Sequence, residues 1–180
     1  MVAASILPIA INKGKMYFLF GKEAPGNDTP GFSDFGGGVE NNESIFESAL
    51  REGAEELTGF LGNPDILKKH IETHGGYYKI THNTYHIHII LIDYDENLPK
   101  YYNANHHFIW SKLNHAYMKK TCIFEKIEVE WFSIERALKQ RNQFRKFYRE
   151  ILDVLHKEKP MILNFAYSNK KSNRKTRKNR

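Results

Sequence analysis

The stretch GGVENNESIFESALREGAEELTG, residues 37–59, decides how the chain is read. Glu43 follows Gly37 by six positions, Arg51-Glu52 come eight further on, and Glu55-Glu56 close the run. Phe46, Leu50, Gly53 and Leu57 recur at helical spacing and form one stripe, suited to packing on a sheet. Glu52, Glu55 and Glu56 stand at i, i+3 and i+4 on the adjoining arc, so three carboxylates share one helix face. Like charges that close repel by about a few tenths of a kcal/mol per pair. Glutamates alone would favour a solvated acidic face on an ordinary helix. The neighbouring Gly turn and Arg51 move the balance to a metal site, because Mg²⁺ takes oxygen ligands and works beside substrate phosphates. Asn41 and Asn42 offer capping oxygens, Glu43-Ser44 precede the helix, and Gly59 supplies a left-handed end. Glu47 and Arg51 fall four apart on the exposed side in the favourable acid-first order. Gly53 costs about 1 kcal/mol relative to Ala in a helix interior, which points to close contact with a strand.

On these residues the chain resembles the Nudix hydrolases. Their box runs Gly, five residues, Glu, seven residues, Arg-Glu, an apolar residue, one residue, Glu-Glu, one residue, Gly. Gly37, Glu43, Arg51, Glu52, Glu55 and Glu56 match at that spacing. Two positions depart: Gly53 stands where an apolar residue is usual, and the last Gly arrives one place late, as Thr58-Gly59. The resemblance implies an α/β (α+β) fold, a mixed β-sheet sandwiched between helices with the box as a loop-helix-loop upon it. It implies Mg²⁺- or Mn²⁺-dependent hydrolysis of a diphosphate linkage in a nucleoside-diphosphate-linked substrate. By matched position, Glu52 and Glu56 are the principal metal ligands, Glu55 a further ligand or the base, and the carbonyl of Gly36 another ligand. Arg51 is expected to orient the carboxylates, and Glu43 to hold loop and helix together. A further acid from outside the box is also expected. Asp93, Asp95, Glu96, Glu125, Glu128 and Glu130 are the candidates, with Glu125 favoured for its place before the late strand.

The rest of the chain frames this reading. At 180 residues, 41% hydrophobic and 13% aromatic, it suits a single domain with a real core, expected over residues 1–160. The lone Cys122 excludes an internal disulfide framework and fits a reducing compartment. No apolar run approaches the roughly 18 residues that span a bilayer, so no membrane role is expected. The N-terminus lacks a basic leader and reads as a strand, which leaves a cytoplasmic expectation. Charge is uneven: residues 170–180 hold seven Lys or Arg, and without them 20 basic residues face 21 acidic ones. The formal charge of +6 therefore belongs to the tail, and the segment 161–180 is expected to end disordered. Such a run attracts phosphate backbones or serves as a nuclear address; a solubilising end with no partner weighs equally.

Residues 5–11 and 16–20 read as strands joined by the turn Asn12-Lys13-Gly14, and residues 23–33 as a loop. Further strands are expected near Asp34-Phe35, at 77–80, 85–93 and 128–132, and helices at 65–71, 103–118, 133–140 and 145–156. His86 and His88 share one strand face, where a third metal ligand is lacking. His106-His107 with Tyr101, Tyr102, Phe108 and Trp110 offer a stacking platform for a base, against the commoner reading as core. Three functions follow: a nucleotide-linked pyrophosphohydrolase, an mRNA-decapping enzyme holding capped RNA on basic surfaces, and an inactive fold that binds RNA. The GFLG continuation and the insert over 103–120 are similar to Nudix proteins of large DNA viruses, some of which decap. The intact Glu52, Glu55 and Glu56 argue against the inactive reading.

Overall fold

A computed structural model describes residues 2–23, 29–114 and 125–178, with side chains to residue 169. Strands β1 (Ala3–Asn12) and β2 (Lys15–Glu23) form the expected hairpin, turning through Lys13 and Gly14 at φ 47° and 77°. Both central residues with positive φ make a turn whose twist matches the strands. The expected strand at Asp34-Phe35 is two short ones, β3 (Phe32–Ser33) and β4 (Phe35–Gly38), with Asp34 between them. Helices α1 (Ile45–Glu56) and α2 (Pro64–Thr73) follow, then the hairpin β5 (Tyr77–His82) and β6 (Tyr85–Leu91). Next come α3 (Leu98–Trp110), β7 (Lys126–Phe132), α4 (Ile134–Lys139) and α5 (Tyr148–Lys178).

The strands form one seven-stranded mixed sheet with β1 at its centre. The first part of β1 pairs antiparallel with β4 and its last part with β2, while its other edge runs parallel to β6. Beyond Phe18, β2 pairs with β7 instead. This fork brings the ends of β2, β4 and β7 to the side of β1 on which α1 packs. Alternation along β1 and β6 sorts the core. Leu7, Ile9, Ile87 and Ile89 meet α4 and α5 through Ile134, Tyr148, Leu152 and Leu155. Ala4, Ile6, Ala10 and Ile90 meet α1, α2 and α3 through Leu50, Leu67 and Leu98. Each large side chain so buried contributes about 1.5–3 kcal/mol. The mixed sheet between helices is as expected.

Several local expectations change. The cap of α1 is Ser44, not Asn41 or Asn42: its hydroxyl accepts from Glu47 N–H while Glu47 accepts from Ser44 N–H at 2.8 Å. That capping box also takes Glu47 away from Arg51. Thr58, not only Gly59, lies in the left-handed region, at φ 51°. Helix α3 begins five residues earlier than expected, with proline in its first turn. Helix α5 starts at Tyr148 and passes through Pro160 and residue 161 without ending. The basic run expected to be disordered is therefore helical in backbone to Lys178, since extending a nucleated helix costs little per residue. Residues 24–28 of the loop, 115–118 of the expected third helix and Cys122 lie outside the described residues. Among the described residues, no helix is long and apolar enough to cross a membrane.

Burial gives one pH prediction. His88 is buried, its Nδ1 lies 3.2 Å from Ser5 O, and its ring packs 5.3 Å from Phe46 and 4.8 Å from Tyr77. Burial lowers its pKa from 6.5 to about 4. Between those values the unfolded chain binds a proton that the native chain excludes, so this contribution is present above pH 6.5 and lost as pH falls toward 4. Its size is of order 3 kcal/mol. Chemical denaturation from pH 7 to 4 should show the loss in the wild type and a shallower slope in His88→Leu; parallel slopes would exclude His88 as its source.

Candidate active site

The box helix is clipped to the Gly turn before it. Arg51 Nη2 donates to the carbonyl of Gly38 at 3.2 Å and to Glu43 at 2.8 Å, and Nε donates to Glu43 at 3.1 Å. Ser48 Oγ donates to the same Gly38 carbonyl at 3.3 Å. Arg51 Nη1 donates to Glu52 Oε1 at 2.8 Å and lies 3.6 Å from Glu55. One guanidinium thus ties the turn, Glu43 and two box carboxylates, and the paired donors fix orientation as well as charge. It holds the Glu43 carboxyl down at about 2. Glu43 also accepts from Glu40 N–H at 2.6 Å, so it closes the loop.

Glu52 and Glu56, one helical turn apart, reach back to β4. Glu56 Oε2 accepts from Gly36 N–H at 2.6 Å. The N–H and C=O of one strand residue leave on the same side, so the Gly36 carbonyl also faces the box helix. The Glu52 carboxylate lies so close over Gly37 that a Cβ there would stand 2.5 Å from it. Gly53 permits this approach: a Cβ on it would meet Ile6 Cγ1 at 2.7 Å, the strand contact its helix position implied. Glu52, Glu56 and Gly36 are thereby brought together. Glu55 is the open member, with its side chain 53% exposed.

Glu56 is buried, and burial pushes its carboxyl up to about 8; Lys126 pulls the other way, while Glu23 and Glu125 add to the rise. Burial also raises Glu52 despite Arg51 beside it. Among the described residues, no three His, Cys or carboxylate side chains stand ready to grip one ion. The donor set nevertheless fits a hard divalent cation: it is all oxygen, and Glu52 and Glu56 converge from one helix face on the Gly36-Gly37 backbone.

Of the candidate outside acids, Glu125 adds to the rise at Glu56. Glu128 pairs with Lys22 at 3.1 Å, Glu130 with Arg136 at 2.6 Å, and Asp95 accepts from Asn97 N–H. Of the histidines, His88 is a core residue and His86 bonds Thr81. The aromatic platform of α3 divides between two faces: Tyr101, His107 and Phe108 are exposed, whereas Tyr102 and His106 are buried. Tyr102 donates to the carbonyl of Glu56 at 3.2 Å, and the Asn103 amide exchanges two hydrogen bonds with the backbone of Val129. Helix α3 therefore clamps the end of the box helix to β7.

Sequence reasoning missed a group of buried charges behind Glu56. Lys126 Nζ lies 3.2 Å from Glu56 Oε1, donates to Ser33 Oγ at 3.1 Å, and pairs with Glu23, which Arg145 Nη1 meets at 2.7 Å. Burial alone would lower the Lys126 pKa, but Glu56 and Glu23 reverse the shift and leave it raised. Next to it, Asp34 accepts from Ser5 Oγ at 2.6 Å and Tyr85 Oη at 2.5 Å, and its burial raises its pKa. The only sequence signal was two opposite charges at the ends of strands that turn out to be partners, Glu23 opposite Lys126.

A family model for the NUDIX domain matches residues 1–155. No curated protein shows significant sequence similarity to the chain. Among solved structures, it is similar to a C. elegans Ap4A hydrolase binary complex at TM-score 0.54 and 16% identity, over 90% of this chain and 98% of that one. It is also similar to a bifunctional NMN adenylyltransferase/ADP ribose pyrophosphatase from Francisella tularensis, complexed with AMP and a Mn ion. There the TM-score is 0.51 and the identity 14%, over 88% of this chain and 42% of that one. At such identities the likeness is one of fold. The family match, by contrast, spans 155 of 180 residues and contains the whole box: the chain belongs to the NUDIX family and is a hydrolase of phosphoric anhydride bonds.

Proposed function

We propose that this chain is a Mg²⁺- or Mn²⁺-dependent Nudix hydrolase cleaving the diphosphate linkage of a nucleoside-diphosphate-linked substrate. The observation that carries the reading is the reach of Glu52 and Glu56, one turn apart, onto Gly37 and Gly36. Glu52, Glu56 and Glu55, with the Gly36 carbonyl, would hold the ion. When bound, a divalent cation offsets charge on the phosphate oxygens and lowers the pKa of water. Arg51 holds Glu52 in place and offsets the repulsion among the box acids. Glu55, the most exposed of the three, would serve as a further ligand or as the base that accepts a proton from an attacking water. The substrate class rests on the two similar structures, whose names speak of Ap4A and ADP ribose. The catalytic unit is assigned to residues 1–160, and 161–180 to a C-terminal segment.

One feature favours a second reading, removal of an mRNA cap. Seven cations crowd residues 170–180, and neutralising phosphates with such residues gives salt-dependent RNA binding. Turnover of a panel of free nucleotides and dinucleotides, set beside release of labelled cap from capped RNA, separates the two with Mg²⁺ or Mn²⁺ present. The expected result is cleavage of a free nucleotide-linked substrate that survives deletion of residues 170–180. Cleavage confined to capped RNA, weakened by that deletion, would replace the first reading with the second. No turnover of either substrate would sink both.

A further inference from the structure

Lys126 is a lysine with no exposed side-chain surface, and the fold builds a place for it. The pairing of β2 with β7 is regular from Phe18 to Lys22, then slips by one residue so that Glu23 faces Lys126 instead of Ile127. A bulge of this kind re-aims a side chain, here out of the exposed row that Glu128 and Glu130 occupy. Gly21 makes room for the stem: a Cβ there would lie 2.9 Å from Lys126 Cγ and 2.7 Å from Phe35. At the far end, the three N–H donors of the ammonium have three oxygen partners, Glu23, Ser33 and Glu56. Those are two carboxylates and a hydroxyl, the donors a hard divalent ion would also take.

We infer that Lys126 is a resident cation that fills the inner half of the carboxylate cluster, between Glu56 and Glu23, confining divalent ions to its outer half, between Glu56, Glu52 and Glu55. Glu56 lies at the border, one oxygen taken by Lys126 and the other by Gly36 N–H. Lys126 is thus a positioning residue: it sets how many ions the site accepts and where, without touching substrate. The inference rests on the metal reading proposed above.

The test is a count of ions. Mn²⁺ is titrated into the full chain and the free ion followed by its electron paramagnetic resonance signal, in the wild type and in Lys126→Met. Removing the ammonium leaves Ser33, Glu56 and Glu23, the last still paired with Arg145, facing one another, so the variant is expected to bind one more Mn²⁺ per chain than the wild type. An equal count overturns the inference, because a purely structural lysine would change stability and leave the stoichiometry alone. Should Lys126→Met be unfolded without metal, millimolar Mn²⁺ is expected to restore its native circular dichroism; a chain that stays unfolded overturns the inference equally. Glu52→Gln tells the two levels apart. A wild type that binds no Mn²⁺, or whose binding Glu52→Gln leaves unchanged, sinks the metal reading and the inference together. Loss of Mn²⁺ in Glu52→Gln with no gain in Lys126→Met sinks the inference alone.

Discussion

Glu56→Gln is expected to lower kcat by about 10³-fold, the several kcal/mol that a bound ion contributes to the transition state. Its melting temperature should fall by about 3–9 °C, leaving the chain folded at assay temperature. The two expectations have one origin. Burial raises the pKa of the Glu56 carboxyl, so desolvation offsets much of its attraction to Lys126 and a neutral isostere gives up only part of that pair. Lys126 keeps its contacts to Glu23 and Ser33, so no bare ammonium is left in the interior. The single acceptor oxygen of Gln can serve Gly36 N–H, which keeps α1 on β4, but its amide NH2 then faces Lys126 and that contact is lost. What disappears is the negative charge at the border of the carboxylate cluster, and the proposed chemistry depends on it. Steady-state kinetics with saturating Mn²⁺, paired with a thermal melt, reads both halves. Wild-type turnover in a folded Glu56→Gln would remove Glu56 from the catalytic machinery.

What was legible in the chain followed from short-range physics. The box helix and the Asn12-Lys13-Gly14 turn are each specified by residues within about one turn of one another. The role of Gly53 was legible too, because a Gly in a helix interior asks for a reason and Ile6 supplies it. The box positions were readable, but not their partners. Arg51 was set against Glu47 by spacing alone, whereas the helix start claims Glu47 and the Gly turn claims Arg51. The charges behind Glu56 escaped for a stronger reason. Glu23 and Lys126 are 103 residues apart, and only a register slip between β2 and β7 makes them face each other. A strict period of two would have put Lys126 in the exposed row with Glu128, and no local pattern announces a bulge. The length of α5 was lost similarly: Pro160 looks like a stop, yet packing of Ile162 and Ala166 against the core carries the helix past it.

Gly37→Ala should separate the site from the fold, with activity falling about 100-fold and stability almost unchanged. The three atoms nearest a Cβ at residue 37 would all belong to the carboxylate of Glu52, at 2.5–2.6 Å, and that carboxylate ends a flexible side chain. Gly37 does not have a positive φ, so alanine fits the backbone. The collision is relieved by moving Glu52 about 1 Å, and misplacing a group at the reacting centre by that distance costs about 10²-fold in rate. The neighbouring position supplies the control. In Gly36→Ala the new Cβ would stand 2.3 Å from Ser5 Cβ and 2.4 Å from the carbonyl of Ala4, which belong to the central strand and cannot swing aside. Overpacking of that kind costs about 1–3 kcal/mol, so Gly36→Ala should melt earlier, by about 3–9 °C. Two adjacent glycines therefore answer different questions: one methyl group displaces a functional carboxylate, the other wedges the sheet. Thermal melts alongside kcat for both variants provide the comparison. A Gly37→Ala chain with full activity would show that Glu52 need not lie over the Gly turn, and one that melts as early as Gly36→Ala would show that Gly37 serves packing first.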